Sequence, residues 1–344
     1  MQSTTLSEED VLWCYRAILG RPPESATAIR AHLSTSKDFR SLVLRFISCQ
    51  EFQDKMSIPA TMVPLDRAEM DIDLTASTAE LPLVLDRIRE AWTHLGEVRP
   101  HFSVLTQQKF LPGSMNAESI ERFYASGVSE VSVIATMLRR YGFSDPESKI
   151  CVEYGCGLGR VTLPLAKMFK AVHGYDISAN HLALAEDRAA ETGMHNIEFH
   201  LCSSEVIVEQ LERCDFFYSR IVFQHNPPPI IRELIGAALD SLRAGGIAIF
   251  QVPTYSQGYS FRVKDYLAQP STFGIEMHCI PQHVVLSLID KYECKLLEVR
   301  EDGATGQSHA ISNTFVVQKF PVPMRALGWR SRLLGLGRRS GEVV

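Results

Sequence analysis

Residues 152–160, VEYGCGLGR, set an acid, Glu153, ahead of glycines at alternate positions, Gly155, Gly157 and Gly159. Glycine lets a backbone take positive φ and approach a ligand closely, and the amides of a following helix start are free to meet it. The spacing fits a phosphate-binding turn, a nucleotide pocket or a plain bend. A dinucleotide fingerprint needs Gly-x-Gly-x-x-Gly, and its last position here is Arg160, which counts against a nicotinamide cofactor. A second acid, Asp176, closes the apolar run in HGYDIS. A carboxylate at the end of a strand can accept both hydroxyls of an adenosine ribose. With no pyrophosphate to cradle, the pocket must hold a nucleoside carrying an amino acid.

Those residues need a sheet to hold them. From residue 149 short apolar runs alternate with helical segments. KICVEY, AVHGYD, NIEFHL, CDFFYS and GIAIFQVP read as successive strands, with LGRVTLPLAKMF, SANHLALAEDRAAETG and PPIIRELIGAALDSLRAGG as helices between them. Alternation of this kind predicts parallel strands with right-handed crossovers. KLLEVRED and ISNTFVVQK follow one more helix and suit an antiparallel pair at the sheet edge.

Upstream, residues 1–56 read as a small helical domain. Ser7 is placed to cap LSEEDVLWCYRAIL, with apolar positions at Val11, Leu12, Tyr15 and Ile18, and Gly20 and Pro22-Pro23 end the helix. FRSLVLRFISCQEF repeats helical spacing through Phe39, Leu42, Val43 and Phe46. YRAILGRPP followed by a helix ending FISCQEF resembles a small helical domain found in bacterial surface-layer and polysaccharide-associated proteins. Residues 57–78 mix prolines, acids and small residues and read as a linker. Residues 79–148, with ELPLVLDRIREAWTHLG, AESIERFYASG and VSEVSVIATMLRRYG, read as helices leading into the sheet.

Composition narrows the class. The chain has 344 residues, 45% hydrophobic and 22% charged, with a formal charge of -5. That profile is globular and offers no basic footprint for nucleic acid. The opening MQSTTLSEED has neither a cationic stretch nor an apolar core, so no secretory signal is expected. No apolar run approaches the roughly 20 residues of a spanning helix. Eight cysteines without a C-x-x-C pair suit reduced thiols in a cytoplasm, and no metal site is expected.

VEYGCGLGR, GYDIS, CDFFYS and LRAGGIAIFQVP, in that order at strand ends, resemble the class I S-adenosylmethionine-dependent methyltransferase family over residues 116–319. The resemblance implies an α/β, Rossmann-like fold: a mostly parallel seven-stranded sheet with helices on both faces, here preceded by the small all-α domain. It implies a catalytic domain over 149–319, with 79–148 as a lid, and S-adenosylmethionine as cofactor. Glu153, Gly155, Cys156 and Gly157 would line its methionine end, with Asp176 and Ile177 at the ribose and Ser219 near the sulfonium. The family often has an acid after the third strand for the adenine. LCSSE puts Ser203 there instead, leaving its hydroxyl or a backbone group for that contact.

Methyl transfer is an in-line displacement, and a hydroxyl acceptor needs a base, for which histidine suits neutral pH. His225, in QHNPP, and His278, in EMHCIP, fall after the fourth and fifth strands; each either takes that proton or holds its loop. Tyr255, Tyr259 and Arg262, in the insertion at 254–273, suit a sugar-like acceptor or an ordinary surface helix, and His101 and Tyr124 sit on the expected lid. The expected substrate is a small molecule or a glycan, either a surface polysaccharide or a lipid-linked intermediate. The tail, 320–344, carries Arg325, Arg330, Arg332, Arg338 and Arg339 among apolar residues, either as a loose terminus or for weak contact with anionic membrane.

Overall fold

Ser7 and Asp10 open the first helix by reciprocal capping. The Asp10 amide donates to the Ser7 hydroxyl, and the Ser7 amide to the Asp10 carboxylate. In the computed structural model, residues 6–52, 68–202, 211–271, 273–306 and 309–321 are described. They fall into two units, Met1–Ala68 and Glu69–Val344.

The smaller unit holds α1 (Glu8–Ala17), α2 (Ala26–Thr35) and α3 (Phe39–Ser48). Val11, Cys14, Tyr15, Leu19, Leu42 and Phe46 form its core. α2 has no fully buried residue and packs on that core through Ile29 and Leu33. Phe39, expected inside, is 44% exposed beside Trp13.

The larger unit runs β1 (Asp71–Ile72), α4 (Glu80–Val98), α5 (Pro100–Val104), α6 (Ala117–Arg140), β2 (Ile150–Tyr154), α7 (Thr162–Ala166), β3 (Ala171–Asp176), α8 (Ala179–Glu191), β4 (Ile197–Leu201) and β5 (Cys214–Ser219). It continues through α9 (Pro228–Ser241), β6 (Leu242–Ser256), β7 (Ser260–Phe261), α10 (Val263–Ala268), α11 (Gln282–Lys291), β8 (Cys294–Asp302) and β9 (Ala310–Lys319). Seven strands form one sheet in the order β4-β3-β2-β5-β6-β9-β8. β4 through β6 are parallel, and β9 runs antiparallel between β6 and β8. β2 and β5 are buried on both faces, which is why both read as continuous apolar runs. α4, α9 and α11 cover one face around Val152, Phe217, Phe250 and Phe315. α6 and α7 cover the other around Cys151, Phe216 and Ile249. The strand order reverses between β2 and β5, and open α/β sheets bind ligands at the carboxyl edge of such a point.

Several sequence boundaries shift. Residues 69–78, expected as linker, belong to the larger unit: β1 pairs parallel with β7, and Arg262 Nη1 reaches Asp73 Oδ1 at 2.8 Å. The two helical stretches before the sheet are one helix, α6, because Gly127 does not break it. The helix in PPIIRELIGAALDSLRAGG stops at Ser241, and β6 begins at Leu242, which pairs with Cys214 before an irregular stretch to Ile247. LGRVTLPLAKMF keeps one short helix, α7. The linker's 57–67, Ser203 and the tail from 322 lie outside the described residues. Among the described residues no helix is long and apolar enough to cross a membrane.

Candidate active site

β2 delivers Glu153 and Tyr154 to the carboxyl edge, and the chain then turns through Gly155, Gly157 and Gly159 at φ 76°, 54° and 76°. L-residues with side chains rarely adopt such angles. A Cβ at Gly155 would also stand 2.2 Å from the Val222 side chain, and one at Gly157 2.9 Å from Val104 Cγ2. The turn is tied to β3. Gly155 and Cys156 amides donate to Tyr175 O at 2.7 and 2.9 Å, and the Gly157 amide to Asp176 Oδ2 at 2.8 Å. The other Asp176 oxygen accepts from the Ser178 amide at 2.9 Å. Ser103 Oγ donates to Pro100 O at 2.8 Å and lies 2.9 Å from His181 Nε2, while His181 Nδ1 stands 3.6 Å from Asp176 Oδ1. That chain fastens α5 over the turn.

Beside the turn lies a cavity of about 280 Å³, near the small end of ligand sites. Its wall includes Glu153, the glycine turn, Asp176, Ile177, Trp92 and His225. A groove of about 440 Å³ adjoins it and shares Ser126, Glu130, Tyr218 and Arg220 with it. Glu153 is buried, and its Oε2 accepts from Thr162 Oγ1 at 2.6 Å. Burial pushes its carboxyl up to about 8, the Thr162 bond and Arg160 opposing only in part. It is therefore largely neutral at physiological pH.

Charge collects where cavity and groove meet. Glu130 of α6 pairs with Arg160 Nη2 at 2.7 Å and Arg220 Nη1 at 3.3 Å, and accepts from the Tyr218 hydroxyl. Burial works to raise its carboxyl, but Arg160, the Tyr218 bond and Arg220 outweigh that and hold it below the usual range. Of the two guanidiniums on this carboxylate, Arg160 is the more shielded and Arg220 is the exposed one, 44% open at its side chain. Gly127 makes this arrangement sterically possible. A Cβ there would stand 1.8 Å from the Arg160 carbonyl oxygen.

His225 sits in a buried relay whose donors fix its tautomer. The Ile221 amide, held at a strained φ of 57°, donates to Gln251 Oε1 at 2.9 Å. Gln251 Nε2 donates to Gln224 Oε1 at 3.0 Å, which turns the Gln224 amino group toward His225 Nε2 at 3.4 Å. The other ring nitrogen, Nδ1, donates to Glu276 O at 2.7 Å. Nε2 therefore carries the lone pair. Burial pushes this imidazole down to about 4, the Glu276 bond opposing and His278 adding to the shift, so the ring is neutral but a weak base.

Residues 151–246, which hold this turn and most of the wall, match a family described as "Methyltransferase domain". The chain is 28% identical over 141 residues to phosphoethanolamine N-methyltransferase 2 of Caenorhabditis elegans, covering 40% of this chain and 31% of that protein. It is 31% identical over 138 residues to a 23S rRNA (uracil(1939)-C(5))-methyltransferase of Methylococcus capsulatus, covering 39% and 27%. The chain thus spans less than a third of the length of either relative. Among solved structures, magnesium protoporphyrin IX methyltransferase from Synechocystis PCC 6803 aligns with a TM-score of 0.48 at 15% identity, over 67% of this chain and 98% of that one.

The matched segment brings together Glu153, Gly155, Cys156, Gly157, Asp176, Ile177 and His225 at one cavity. Burial raises the Cys156 thiol well above its ordinary value, so it serves as filler and backbone. Ser219 stands just outside, donating to Tyr154 O at 3.0 Å and lining the adjoining groove. The second expected base, His278, is not at the cavity. Its Nδ1 meets the Tyr259 hydroxyl at 2.8 Å and its Nε2 meets Glu276 Oε2 at 3.1 Å, so it and Tyr259 are internal partners. Arg262 clamps Asp71 and Asp73, and Tyr255 lies in β6 opposite Ile311. Around the expected lid residue His101, the cavity is reached by Ser103, Val104, Leu105 and Gln107, while His101 packs edge-on to Phe123. Tyr124 lies under Arg188, away from the wall. The sequence reading missed Glu130, Arg160 and Arg220. Arg160 was visible only as a departure from the dinucleotide fingerprint, and Glu130 only as an unremarkable acid on a helix.

Proposed function

We propose that the chain is an S-adenosylmethionine-dependent methyltransferase, its cofactor held at the glycine turn and its acceptor entering beside Arg220. What carries the reading is the meeting of Glu153, the positive-φ glycines and Asp176 at one cavity, inside the segment that matches a methyltransferase domain. The residues fit the cofactor. Each Asp176 oxygen accepts one amide and keeps a second lone pair for a ribose hydroxyl. Trp92 and Ile177 offer apolar wall. Side chains at Gly155 or Gly157 would fill the cradle.

The cofactor supplies an electrophilic methyl group. The chain's own part is to align the acceptor lone pair and keep water out, since orientation is worth more than acid–base help in a displacement of this kind. His225, pushed down to about 4, is a poor proton acceptor near neutral pH. An oxygen or nitrogen that arrives with its lone pair free therefore suits the site, and the exposed guanidinium of Arg220 favours an acceptor with an anionic group.

The sugar acceptor expected from the sequence now rests on the small unit's resemblance alone, because Tyr255, Tyr259 and Arg262 have other partners. That unit is assigned a partner- or polymer-binding role rather than a chemical one. A cytoplasmic setting suits the eight free cysteines. Incubation of the full chain with the cofactor and candidate acidic small molecules, sugars and lipid-linked sugars, followed by product mass analysis, tests the acceptor class. A gain of one methylene on an acidic acceptor supports this reading; transfer only to neutral sugars overturns the role given to Arg220.

A further inference from the structure

Three metal-ligating side chains meet on the sheet away from the cavity. His173 of β3 stands opposite Glu198 of β4 in the parallel register, and His200 follows two positions along β4. Residues two apart on a strand share a face, so all three project from the same side of the sheet edge. His173 Nδ1 lies 3.0 Å from His200 Nε2 and 3.6 Å from Glu198 Oε2, and Glu198 Oε1 lies 3.9 Å from His200 Nε2. Nitrogen and oxygen ligands about 2.0–2.1 Å from a tetrahedral zinc ion stand roughly 3.3–3.4 Å from one another. The three separations bracket that value. Among the described residues, this is the one group of three such side chains that meets.

The setting suits a metal better than a chance surface cluster does. Both rings are shielded, with side chains 14% and 26% exposed, while the Glu198 side chain is 67% exposed and faces water. His200 stacks on Tyr175 with ring centres 4.5 Å apart and planes 15° apart, which holds its orientation. The Tyr175 hydroxyl in turn accepts from the Glu212 amide at 3.1 Å. A ligand ring oriented by its surroundings is what a bound ion requires.

We propose that His173, Glu198 and His200 form a site for a divalent cation of the zinc class, with water as the fourth ligand. The spacing gave no sign of it, because the ligands come from two strands separated by a helix. The ion would cross-link the edge strand β4 to β3. The end of β4 is already joined to the cofactor side, since the Cys202 amide donates to Asp176 O at 2.8 Å. The site's expected role is thus structural, holding β4 in register beside the cavity.

Cobalt(II) titration of the tag-free, thiol-reduced full chain, followed by visible absorption, tests this. Saturable one-to-one binding is expected, with tetrahedral d–d bands and no thiolate charge-transfer band. His200→Ala and His173→Gln should each weaken it at least tenfold, and Glu198→Gln, at an exposed position that leaves folding intact, by a smaller factor. Cys49→Ser should change nothing. No saturable binding, a thiolate band, or binding unchanged in Glu198→Gln and in a folded histidine variant each overturns the proposal and leaves a histidine–histidine hydrogen bond.

Discussion

The Gly157 amide donates to Asp176 Oδ2 across 2.8 Å, so the glycine turn after β2 is fixed to the end of β3 by the same carboxylate that faces the cavity. The sequence motif and the acid expected at the ribose are one mechanical unit. Asp176→Ala should therefore lower both cofactor affinity and fold stability, each by roughly 1–3 kcal/mol, because two buried amides lose their acceptor. Calorimetry beside chemical denaturation separates the two losses. Unchanged affinity in a destabilised variant would confine Asp176 to the turn.

Glu153 gives a pH signature. In the native state burial keeps its proton up to about 8, against an ordinary 4.5. Between those values the native state binds more protons than the unfolded chain, so this group's effect is to lower stability as pH rises through the window. Below about 4.5 nothing is lost; above about 8 the loss is complete. Glu153→Gln should flatten that part of the stability curve. Parallel slopes for wild type and variant between pH 5 and pH 8 would show Glu153 ionised in the native state.

Gly127→Ala reverses an ordinary rule. Alanine normally stabilises the middle of a helix by about 1 kcal/mol relative to glycine. Here the new Cβ meets the Arg160 carbonyl at 1.8 Å, so the substitution should destabilise by roughly 1–3 kcal/mol and displace the Arg160–Glu130 pair. A melting temperature equal to or above wild type contradicts the close approach.

His225 should leave no mark on the pH–rate profile near neutrality. Burial sets its imidazole at about 4, so kcat/KM should show no histidine inflection between roughly pH 5 and 8. An inflection in that range that disappears in His225→Asn would restore the general base expected from the sequence.

What the sequence made legible follows from local signals. The parallel strands stood out because β2 and β5 are apolar on both faces, and β8 and β9 because they end the chain of alternation. Glu153, the glycines and Asp176 sit next to strand ends, where type and position together carry the chemistry. His278 and Tyr259 misled because a histidine and a tyrosine near a strand end look the same whether they meet a ligand or each other. Arg262 misled because its partners, Asp71 and Asp73, lie in a stretch that reads as linker. Glu130 and Arg220 were invisible for a different reason. Their meaning comes from pairing across α6 and the end of β5, and no spacing along the chain encodes it.

Titration of the full chain with S-adenosylmethionine in a calorimeter addresses the central claim, with Gly157→Val as the partner experiment. Valine would need φ near 54° with its Cβ 2.9 Å from Val104, so it closes the cradle while leaving the strands alone. Saturable one-to-one binding by the wild type, lost in a Gly157→Val chain that keeps its circular dichroism, is the predicted result. No heat at millimolar cofactor, or equal binding by both chains, would contradict the account.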